Sequence, residues 1–241
     1  MSNLSIVIPA RNEAENIIAL VNGIDAALAS LAPFEIIVVD DGSTDNSVAV
    51  LTERALSMPH LRIIRHDQSA GQSAGVHSGV LAARSPIICT LDGDGQNPPE
   101  ELPKLAAPLL GDATGLIGLV AGQRVDRQDT LSKKFASRFA NGLRAWILKD
   151  NTRDTGCGLK AFRRDAFLRL PYFDHMHRYL PALFARDGWQ IAHVDVSHRP
   201  RGAGRSNYSN IQRALVGIVD LAGVAWLLRR RKKARVLEAA K

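Results

Sequence analysis

The first half of the chain alternates between short apolar runs and longer segments in which apolar residues recur at helical spacing. Helical spacing runs through residues 13–31, and residues 43–56 open with Ser, Thr and Asp side chains that cap helices. Apolar runs of strand length occur at residues 4–8, 35–39, 61–64, 87–91 and 116–121. This alternation predicts an α/β protein with a mostly parallel sheet flanked by helices.

The second half of the chain changes character after Arg124. A helix is predicted over residues 131–148, followed by the short segment DTGCGLKAFRR and a further α/β stretch to residue 200. The Gly-rich, basic segment RGAGRSNYS then precedes an apolar helix over residues 211–228. We therefore expect a catalytic domain over residues 1–208 and a C-terminal helix with a basic tail over residues 209–241.

The loops that follow the predicted strands are unusually polar. They read PARNE, DDGSTD, HDQSAGQSAG, DGDGQNPP and GQR. In open parallel sheets, ligands bind beyond the carboxyl ends of the strands, where such loops meet. The sequence therefore predicts a ligand site at this edge of the sheet.

Asp92 and Asp94 directly follow the apolar run IICTL and stand two residues apart. Carboxylates at this spacing can approach one cation when the loop turns, and Gln96 offers a further oxygen. Mg²⁺ and Mn²⁺ prefer oxygen ligands, and Mg²⁺ is usually held by one or two carboxylates together with substrate phosphates. A polar turn without a metal is the alternative for such a short motif.

A second acidic loop begins with Asp40 and Asp41, again at the end of a predicted strand. Their carboxylates can accept hydrogen bonds from a ribose or from a base N–H. Capping of the next helix by Ser43 or Asp45 accounts for part of this loop but leaves the two leading aspartates unexplained.

Charge is distributed unevenly along the 241 residues. Residues 1–100 carry 5 basic and 12 acidic side chains, whereas residues 101–241 carry 26 and 12. The tail from residue 229 to 241 holds 7 basic residues and one glutamate. Phosphates or anionic lipids are the partners that this positive charge favours, with a solvated tail as the alternative. The acidic first half argues against nucleic acid as a partner.

The N-terminal sequence and the two cysteines bear on where in the cell the protein is located. The N-terminus lacks the basic region and long apolar run of a signal peptide. Cys89 and Cys157 have no CxxC spacing, which argues against structural zinc. These features predict a cytoplasmic protein.

Together these segments resemble a family 2 glycosyltransferase of GT-A fold, in the branch of dolichol-phosphate mannose synthases and undecaprenyl-phosphate glycosyltransferases. The matching segments lie in the family's order over about residues 4–210: IVIPARNEAENI, EIIVVDDGSTDNS, GQSAGVHSG, TLDGDGQNPPE, AGQR, DTGCGLKAFRR, HRYLPAL and HRPRGAGRSNYS. The resemblance implies transfer of a sugar, with inversion, from a GDP- or UDP-sugar to a polyprenyl phosphate.

The resemblance also implies roles for individual residues. Nucleotide contacts are expected from Pro9, Arg11, Glu13, Asp40, Asp41, Gly71, Gln72 and Asp92. The implied ligands of Mg²⁺ or Mn²⁺ are Asp92, Asp94 and Gln96. Catalysis is expected to depend on Asp94, Arg124 and Arg138, the two arginines meeting phosphate. A mobile loop over the site would carry Arg199, Arg201 and Ser206.

One departure from the family pattern lies in that loop. Related chains usually read SKY where this chain has Ser206, Asn207 and Tyr208. The missing lysine removes a phosphate contact at position 207, which Arg205 is placed to supply.

The sequence also bears on the chemical group that accepts the sugar. A hydroxyl nucleophile normally needs a general base, whereas a phosphate monoester is largely ionised at neutral pH. Family 2 enzymes that glycosylate hydroxyls commonly carry a Glu-Asp pair and a QxxRW segment, and neither string occurs in the chain. This favours a polyprenyl phosphate, with Asp154 left as a candidate base for a hydroxyl acceptor. The sequence does not choose the sugar.

The predicted C-terminal helix has an apolar core of 14 residues, 215–228. Such a helix spans about 21 Å, and a bilayer core is about 30 Å thick. A helix lying on the inner face of the cytoplasmic membrane, with basic residues meeting lipid headgroups, fits this length better than a spanning one. A helix packed on the catalytic domain and a docking site for a separate membrane subunit are the alternatives.

Two rival functions remain open at this level. A sugar-nucleotide pyrophosphorylase shares this kind of nucleotide-binding fold, but it would be expected to carry a GxGTR-type loop where this chain has PARNE. A non-catalytic nucleotide-binding membrane subunit would not need Asp92, Asp94 and Gln96.

Overall fold

In a computed structural model the chain forms one seven-stranded sheet flanked by helices. The structure describes residues 3–125, 144, 147–148, 152, 154–199, 210–230 and 234. The strands are β1 Leu4–Ala10, β2 Phe34–Asp40, β3 Leu61–Arg65, β4 Ile87–Thr90, β5 Ile117–Arg124, β6 Lys160–Arg163 and β7 Gln190–Val196. The helices are α1 Ile17–Leu28, α2 Ser47–Ser57, α3 Gln72–Ala82, α4 Leu102–Leu110, α5 Arg164–Leu168, α6 Leu180–Arg186 and α7 Asn210–Arg229.

The strand order is β3-β2-β1-β4-β6-β5-β7. Strand β1 pairs in parallel with β2 and β4, β2 with β3, and β5 with β7. Only β6 runs antiparallel to its neighbours, β4 and β5. The predicted mostly parallel α/β sheet is therefore confirmed, and all five strands predicted in the first half lie within three residues of their observed ends.

The central strands are apolar on both faces because helices cover both sides of the sheet. Side chains alternate, so that Ile36 and Val38 of β2 belong to one core and Ile37 and Val39 to the other. Helices α1 and α4 pack on the first face, and α3 packs on the second. This two-sided burial holds the strand ends, and hence the polar loops, in fixed positions.

Helix α1 begins at Ile17, later than the predicted residue 13, because the preceding turn bonds to the loop after β2. The amide of Asn12 donates to Ser43 Oγ at 2.9 Å. Asp45 Oδ1 accepts from the amide of Ser47 at 2.9 Å, at the start of α2. The N-cap residue is Asn46, which makes no side-chain capping bond, while Asp45 accepts from the first helical amide one position before the cap. The predicted cap by Ser43 is wrong, because its hydroxyl accepts from Asn12 and links the two loops.

Helix α7 packs along the second core face through Val224, which is almost fully buried. Within the described part of the chain, no helix has the length and apolar character needed to cross a membrane. Of the helix predicted over residues 131–148, positions 144, 147 and 148 are helical and the others lie outside the described residues. The boundary predicted between residues 208 and 209 also lies outside them and stays a prediction.

Candidate functional site

The carboxyl ends of β1 and β4 and the N-terminus of α3 surround a small recessed cavity. Both apolar and polar side chains line it, which is typical of ligand-binding sites. The lining residues are Pro9, Gln72, Val76, Thr90, Leu91, Asp92, Gly158, Lys160, His177 and Leu180. The structure thus brings the predicted Pro9, Gln72 and Asp92 to one place, at the edge of the sheet where the ligand site was expected.

Asp92 lies at the base of this site. Its Oδ1 accepts a hydrogen bond from Gln72 Nε2 at 2.5 Å. Burial raises the pKa of Asp92, and the neighbouring charge of Asp94 raises it further, against the opposing effect of Lys160. Two carboxylates that disfavour each other's charge form a place where a cation relieves the repulsion.

Asp94 and Gln96 stand at the same turn. Asp94 Oδ1 accepts a hydrogen bond from the backbone amide of Gln96 at 3.1 Å, and both side chains are partly exposed. Among the described residues, no three His, Cys, Asp or Glu side chains converge in a way that would hold a metal. The two carboxylates of Asp92 and Asp94 and the amide oxygen of Gln96 are the kind of oxygen donors that a hard divalent ion takes, together with phosphate or water oxygens.

Glycine at position 158 is required by the position of Asp92. A Cβ atom at Gly158 would overlap the Asp92 carboxylate. The carbonyl of Gly158 accepts a hydrogen bond from Thr90 Oγ1 at 2.9 Å, which holds this close approach in place. The GCG turn of the segment DTGCGLKAFRR thus packs directly against the Asp92 carboxylate.

Arg124 lies at the end of β5 and pairs with Asp154. Its Nε donates to Oδ2 at 2.5 Å and its Nη2 to Oδ1 at 2.9 Å. The hydrogen bond with Asp154 raises the pKa of Arg124, and the two side chains are 16% and 14% exposed. The guanidinium is thus held in a fixed position, close enough to Asp92 to act on its charge, and its phosphate contact stays a prediction.

Lys160 is a site residue that the sequence analysis missed. Its side chain is buried at the start of β6, and its Nζ donates hydrogen bonds to the carbonyls of Cys157 and Thr155. Burial lowers its pKa, against the opposing effect of Cys157, Asp92 and Asp154. The four-residue strand KAFR also ends in Arg163, so its sequence gave no signal that Lys160 is buried.

Asp41 accepts four hydrogen bonds from the loop that follows β3. The donors are Ala70 N and Gly71 N, both at 2.9 Å, Ser69 Oγ at 2.8 Å, and His66 Nδ1 at 2.8 Å. Burial acts to raise the pKa of Asp41, but these hydrogen bonds outweigh it and lower the pKa. Asp41 therefore fixes the conformation of the predicted nucleotide loop around Gly71.

The remaining predicted nucleotide residues surround the ends of β1 and β2. Asp40 is buried, with Oδ2 at 3.8 Å from Arg65 Nε, and its Oδ1 has no hydrogen-bond partner among the described residues. Glu13 Oε2 accepts from Asn16 Nδ2 at 2.8 Å. Arg11 is exposed beyond the end of β1. These side chains lie at the strand ends where the sequence predicted them.

His177 enters the cavity from the short turn that precedes α6. Its Nδ1 lies 2.8 Å from Ser73 Oγ, on the first turn of α3. Burial, with the nearby charges of Lys160, Arg178 and His175, lowers the pKa of His177 well below the ordinary histidine value. The ring is therefore neutral at physiological pH.

The predicted acceptor loop is described only at its start. Arg199 Nη2 lies 3.0 Å from both carboxylate oxygens of Glu100, and the Arg199 amide donates to the Gln96 carbonyl at 2.9 Å. This ties the beginning of the loop to the turn that carries Asp94. Arg138, Arg201 and Ser206 lie outside the described residues.

Comparison with known proteins identifies relatives for most of the chain. The undecaprenyl-phosphate 4-deoxy-4-formamido-L-arabinose transferase of Pectobacterium carotovorum subsp. carotovorum (strain PC1) is 34% identical over 211 residues, which cover 87% of this chain and 63% of the relative. The protein of the same description from Yersinia pestis (strain Pestoides F) is 35% identical with the same coverage. The chain thus spans less than two thirds of the length of these relatives.

Solved structures share the fold. Glucosyl-3-phosphoglycerate synthase from Mycobacterium tuberculosis in complex with Mg²⁺ and UDP has a TM-score of 0.69 at 20% identity, covering 94% of this chain and 79% of that one. The same enzyme with Mn²⁺, UDP and phosphoglyceric acid has a TM-score of 0.69 at 20% identity, covering 94% and 78%. These similarities confirm the GT-A fold. Residues 5–170 match the family model described as Glycosyl transferase family 2, and the chain belongs to that family.

Proposed function

We propose that this protein is an inverting glycosyltransferase that moves a sugar from a GDP- or UDP-sugar to a polyprenyl phosphate at the cytoplasmic face of a membrane. The observation that carries the proposal is the joint placement of Asp92 and Asp94 with two recessed cations, Arg124 and Lys160. Acidic residues suit a metal on the donor diphosphate, and cations suit the phosphate of the acceptor.

The donor half of the site consists of the turn at residues 92–96 and the loop held by Asp41. Asp94, Gln96 and Asp92 would hold Mg²⁺ or Mn²⁺, which when bound neutralises the charge of the departing nucleoside diphosphate. The amide of Gly71 donates to Asp41, and the side chain of the next residue, Gln72, donates to Asp92, which supports a nucleotide loop beside this turn. The solved structures with the same fold contain Mn²⁺ or Mg²⁺ together with UDP, which supports this assignment.

Among the described residues, Asp154 is the candidate general base for the acceptor, and its contacts do not suit that role. Both oxygens of Asp154 accept hydrogen bonds from Arg124, and a carboxylate held by a guanidinium is a poor proton acceptor. A phosphate acceptor needs no such base, because its second pKa near 6 leaves it mostly ionised at neutral pH. The names of the relatives, which specify undecaprenyl phosphate, support the same acceptor.

In the proposed reaction one oxygen of the lipid phosphate attacks the anomeric carbon of the donor sugar. The bond from that carbon to the diphosphate oxygen breaks, and its electron pair leaves with the nucleoside diphosphate. No proton has to be removed from the nucleophile. The protein therefore contributes position and charge: Arg124 holds a phosphate, and the water-poor site strengthens that attraction.

Helix α7 supports contact with a membrane surface. Its exposed apolar residues include Ile218, Val219 and Trp226, which are 65%, 72% and 57% exposed. The exposed Arg229 and Arg230 follow at its C-terminal end, with the Arg230 guanidinium 5.8 Å from the Trp226 ring. An apolar face bordered by cations and an aromatic ring suits the headgroup region of an anionic membrane.

The proposal is tested by offering the full chain, with Mn²⁺ or Mg²⁺, a panel of donors and two matched acceptors. The donors are GDP-mannose, UDP-glucose and nucleotide-activated 4-deoxy-4-formamido-L-arabinose. The acceptors are undecaprenyl phosphate and undecaprenol, which differ only in the phosphate. We expect at least one sugar to enter the lipid fraction with undecaprenyl phosphate and none with undecaprenol.

Transfer to undecaprenol alone would instead support a transferase for hydroxyl acceptors. Nucleotide binding without transfer to either lipid would support a non-catalytic nucleotide-binding subunit. Transfer to undecaprenyl phosphate that occurs only when membrane proteins are added as well would point to a separate membrane subunit.

A further inference from the structure

We propose that His177 binds the donor sugar, donating a hydrogen bond from Nε2–H to one of the sugar hydroxyl groups. The proposal rests on the glycosyltransferase function proposed above and adds a residue that selects among sugars.

Ser73 fixes the orientation of the His177 ring. The backbone amide of His177 donates to Ser73 Oγ at 3.3 Å, and the ring Nδ1 lies 2.8 Å from the same oxygen. Ser73 is almost fully buried on the first turn of α3. Two contacts from one residue to one hydroxyl therefore set both the backbone and the ring of His177 against α3.

These contacts also decide which ring nitrogen carries the proton. The two contacts with His177 are the only hydrogen bonds of the Ser73 hydroxyl within the described part of the chain. If Nδ1 carried the proton, the buried Ser73 hydroxyl proton would have no acceptor, which is unfavourable for a buried donor. Donation from Ser73 Oγ to Nδ1 avoids this cost. The neutral ring then carries its proton on Nε2.

Nε2 is available to a ligand. It makes no hydrogen bond with another described residue, and it is not among the buried polar atoms left without a partner. His177 lines the same cavity as Asp92, Gln72 and Lys160. The Nε2–H group is thus an accessible donor beside these polar groups, and its proton makes it unsuitable as a general base.

The lining of the cavity favours a hydroxyl-bearing ring as the ligand. Asp92 and Gln72 offer acceptor oxygens, and His177 offers a donor, which matches hydroxyl groups that both give and accept hydrogen bonds. Val76, Leu91 and Leu180 are almost fully buried around this small cavity, so a sugar reaches His177 with one hydroxyl group rather than with its whole ring. A neutral imidazole adds little to phosphate binding where Lys160 already supplies charge.

The test compares nucleotides with the corresponding nucleotide sugars. Binding of UDP, UDP-glucose, GDP and GDP-mannose, each with Mn²⁺, is measured by calorimetry for the wild type and His177→Phe. Phe keeps the ring but removes the donor. We expect the affinity for the preferred nucleotide sugar to fall about 3–10-fold and the affinity for its free nucleotide to stay unchanged, as the loss of one neutral hydrogen bond predicts.

Three further variants make the test specific. His177→Gln, which retains an amide donor, should recover part of the lost affinity. Ser73→Ala, which releases the ring, should weaken sugar binding in the same direction. His77→Phe is the control. His77 lies on α3, as Ser73 does, but it packs against Tyr172 and Phe167 and does not line the cavity. This variant should bind all four ligands as the wild type does.

Other results would overturn the assignment. An equal loss for nucleotide and nucleotide sugar in both His177 variants would show that His177 supports the diphosphate or the fold. Unchanged binding with a raised KM for lipid acceptor would place it at the acceptor. A wild type that binds none of the four ligands would reject the proposed function itself, and this inference with it.

Discussion

Arg124 donates two hydrogen bonds to Asp154, from Nε to Oδ2 at 2.5 Å and from Nη2 to Oδ1 at 2.9 Å. The amide of Asp154 in turn donates to Gln123 Oε1 at 3.0 Å, so that the loop and the end of β5 hold each other. Such a bidentate pair fixes the plane of the guanidinium. Asp154 therefore positions Arg124, and its carboxylate is not available to take a proton from an acceptor.

Asp154→Asn should lower kcat about tenfold, because the amide still holds Arg124 through one hydrogen bond but no longer through a charge pair. Loss of a general base would instead cost about 10²–10⁴-fold. Steady-state kinetics with undecaprenyl phosphate measure the difference. Arg124→Lys keeps the positive charge but loses the bidentate hydrogen bonds of the guanidinium, and it should lower kcat more than Asp154→Asn does. An Asp154→Asn variant without detectable activity would restore Asp154 as a base.

Asp94→Ala should abolish transfer without changing the fold. Asp94 is partly exposed at a turn, so its removal leaves the two cores of the sheet intact. Its loss takes one carboxylate from a site in which we expect Mg²⁺ or Mn²⁺. Calorimetry should show that UDP or GDP no longer gains affinity from Mn²⁺, and thermal unfolding should match the wild type. Full activity, or wild-type activity that resists EDTA, would contradict the metal assignment.

The sequence predicted the positions of the site residues better than their partners. Two strand ends were located from apolar runs, one that ends in Asp40 and one that ends in the DGDG turn. Because parallel strands bring their carboxyl ends to one edge of the sheet, these acidic residues were expected there together. Periodicity cannot indicate which donors a carboxylate meets. The bond from His66 to Asp41 joins residues 25 apart in the chain and depends on tertiary packing.

Lys160 was not predicted as part of the cavity for the same reason. It comes from the second half of the chain, and β6 enters the sheet between β4 and β5 in the reverse direction. That insertion sets Lys160 beside Asp92, which is far from it in sequence. Only the antiparallel pairing of Thr90 with Lys160 shows why the two residues share a site.

The hydrogen bonds of Asp41 predict a defined pH dependence of stability. Because the folded protein lowers the pKa of Asp41, its contribution is present above the ordinary value of about 3.9 and is lost as pH falls through the folded value. Asp41→Asn should reduce the free energy of unfolding by about 2 kcal/mol at pH 5. The difference from the wild type should narrow as the pH is lowered towards 3, as measured by urea unfolding.

Asp165→Asn is the control for that experiment. Asp165 of α5 pairs with Arg169, which follows that helix, and the two side chains are 60% and 71% exposed. Such a pair contributes less than about 1 kcal/mol. A difference between the wild type and Asp41→Asn that stays constant down to pH 3 would mean that the charge of Asp41 does not stabilise the loop.

Trp226→Ala should weaken binding to vesicles of phosphatidylcholine and phosphatidylglycerol about tenfold or more, because a buried aromatic ring contributes about 1.5–3 kcal/mol. Vesicle co-sedimentation measures this. Leu56→Ala is the matched control, since Leu56 is 86% exposed but lies on α2 and not on α7. Equal binding by the wild type and Trp226→Ala would leave α7 as a helix that only packs on the catalytic domain.

Gly158→Ala should reduce transfer about 100-fold while the protein stays folded. The added methyl group would overlap the Asp92 carboxylate, which has to move away from Gln72 and from the cavity. Displacement of a site residue by about 1 Å is enough for a loss of this size. Gly223→Ala on α7, where nothing lies within 4 Å of the new methyl group, should keep full activity. Both variants add the same methyl group. Normal activity in Gly158→Ala would therefore mean that transfer does not depend on the close contact between Gly158 and Asp92.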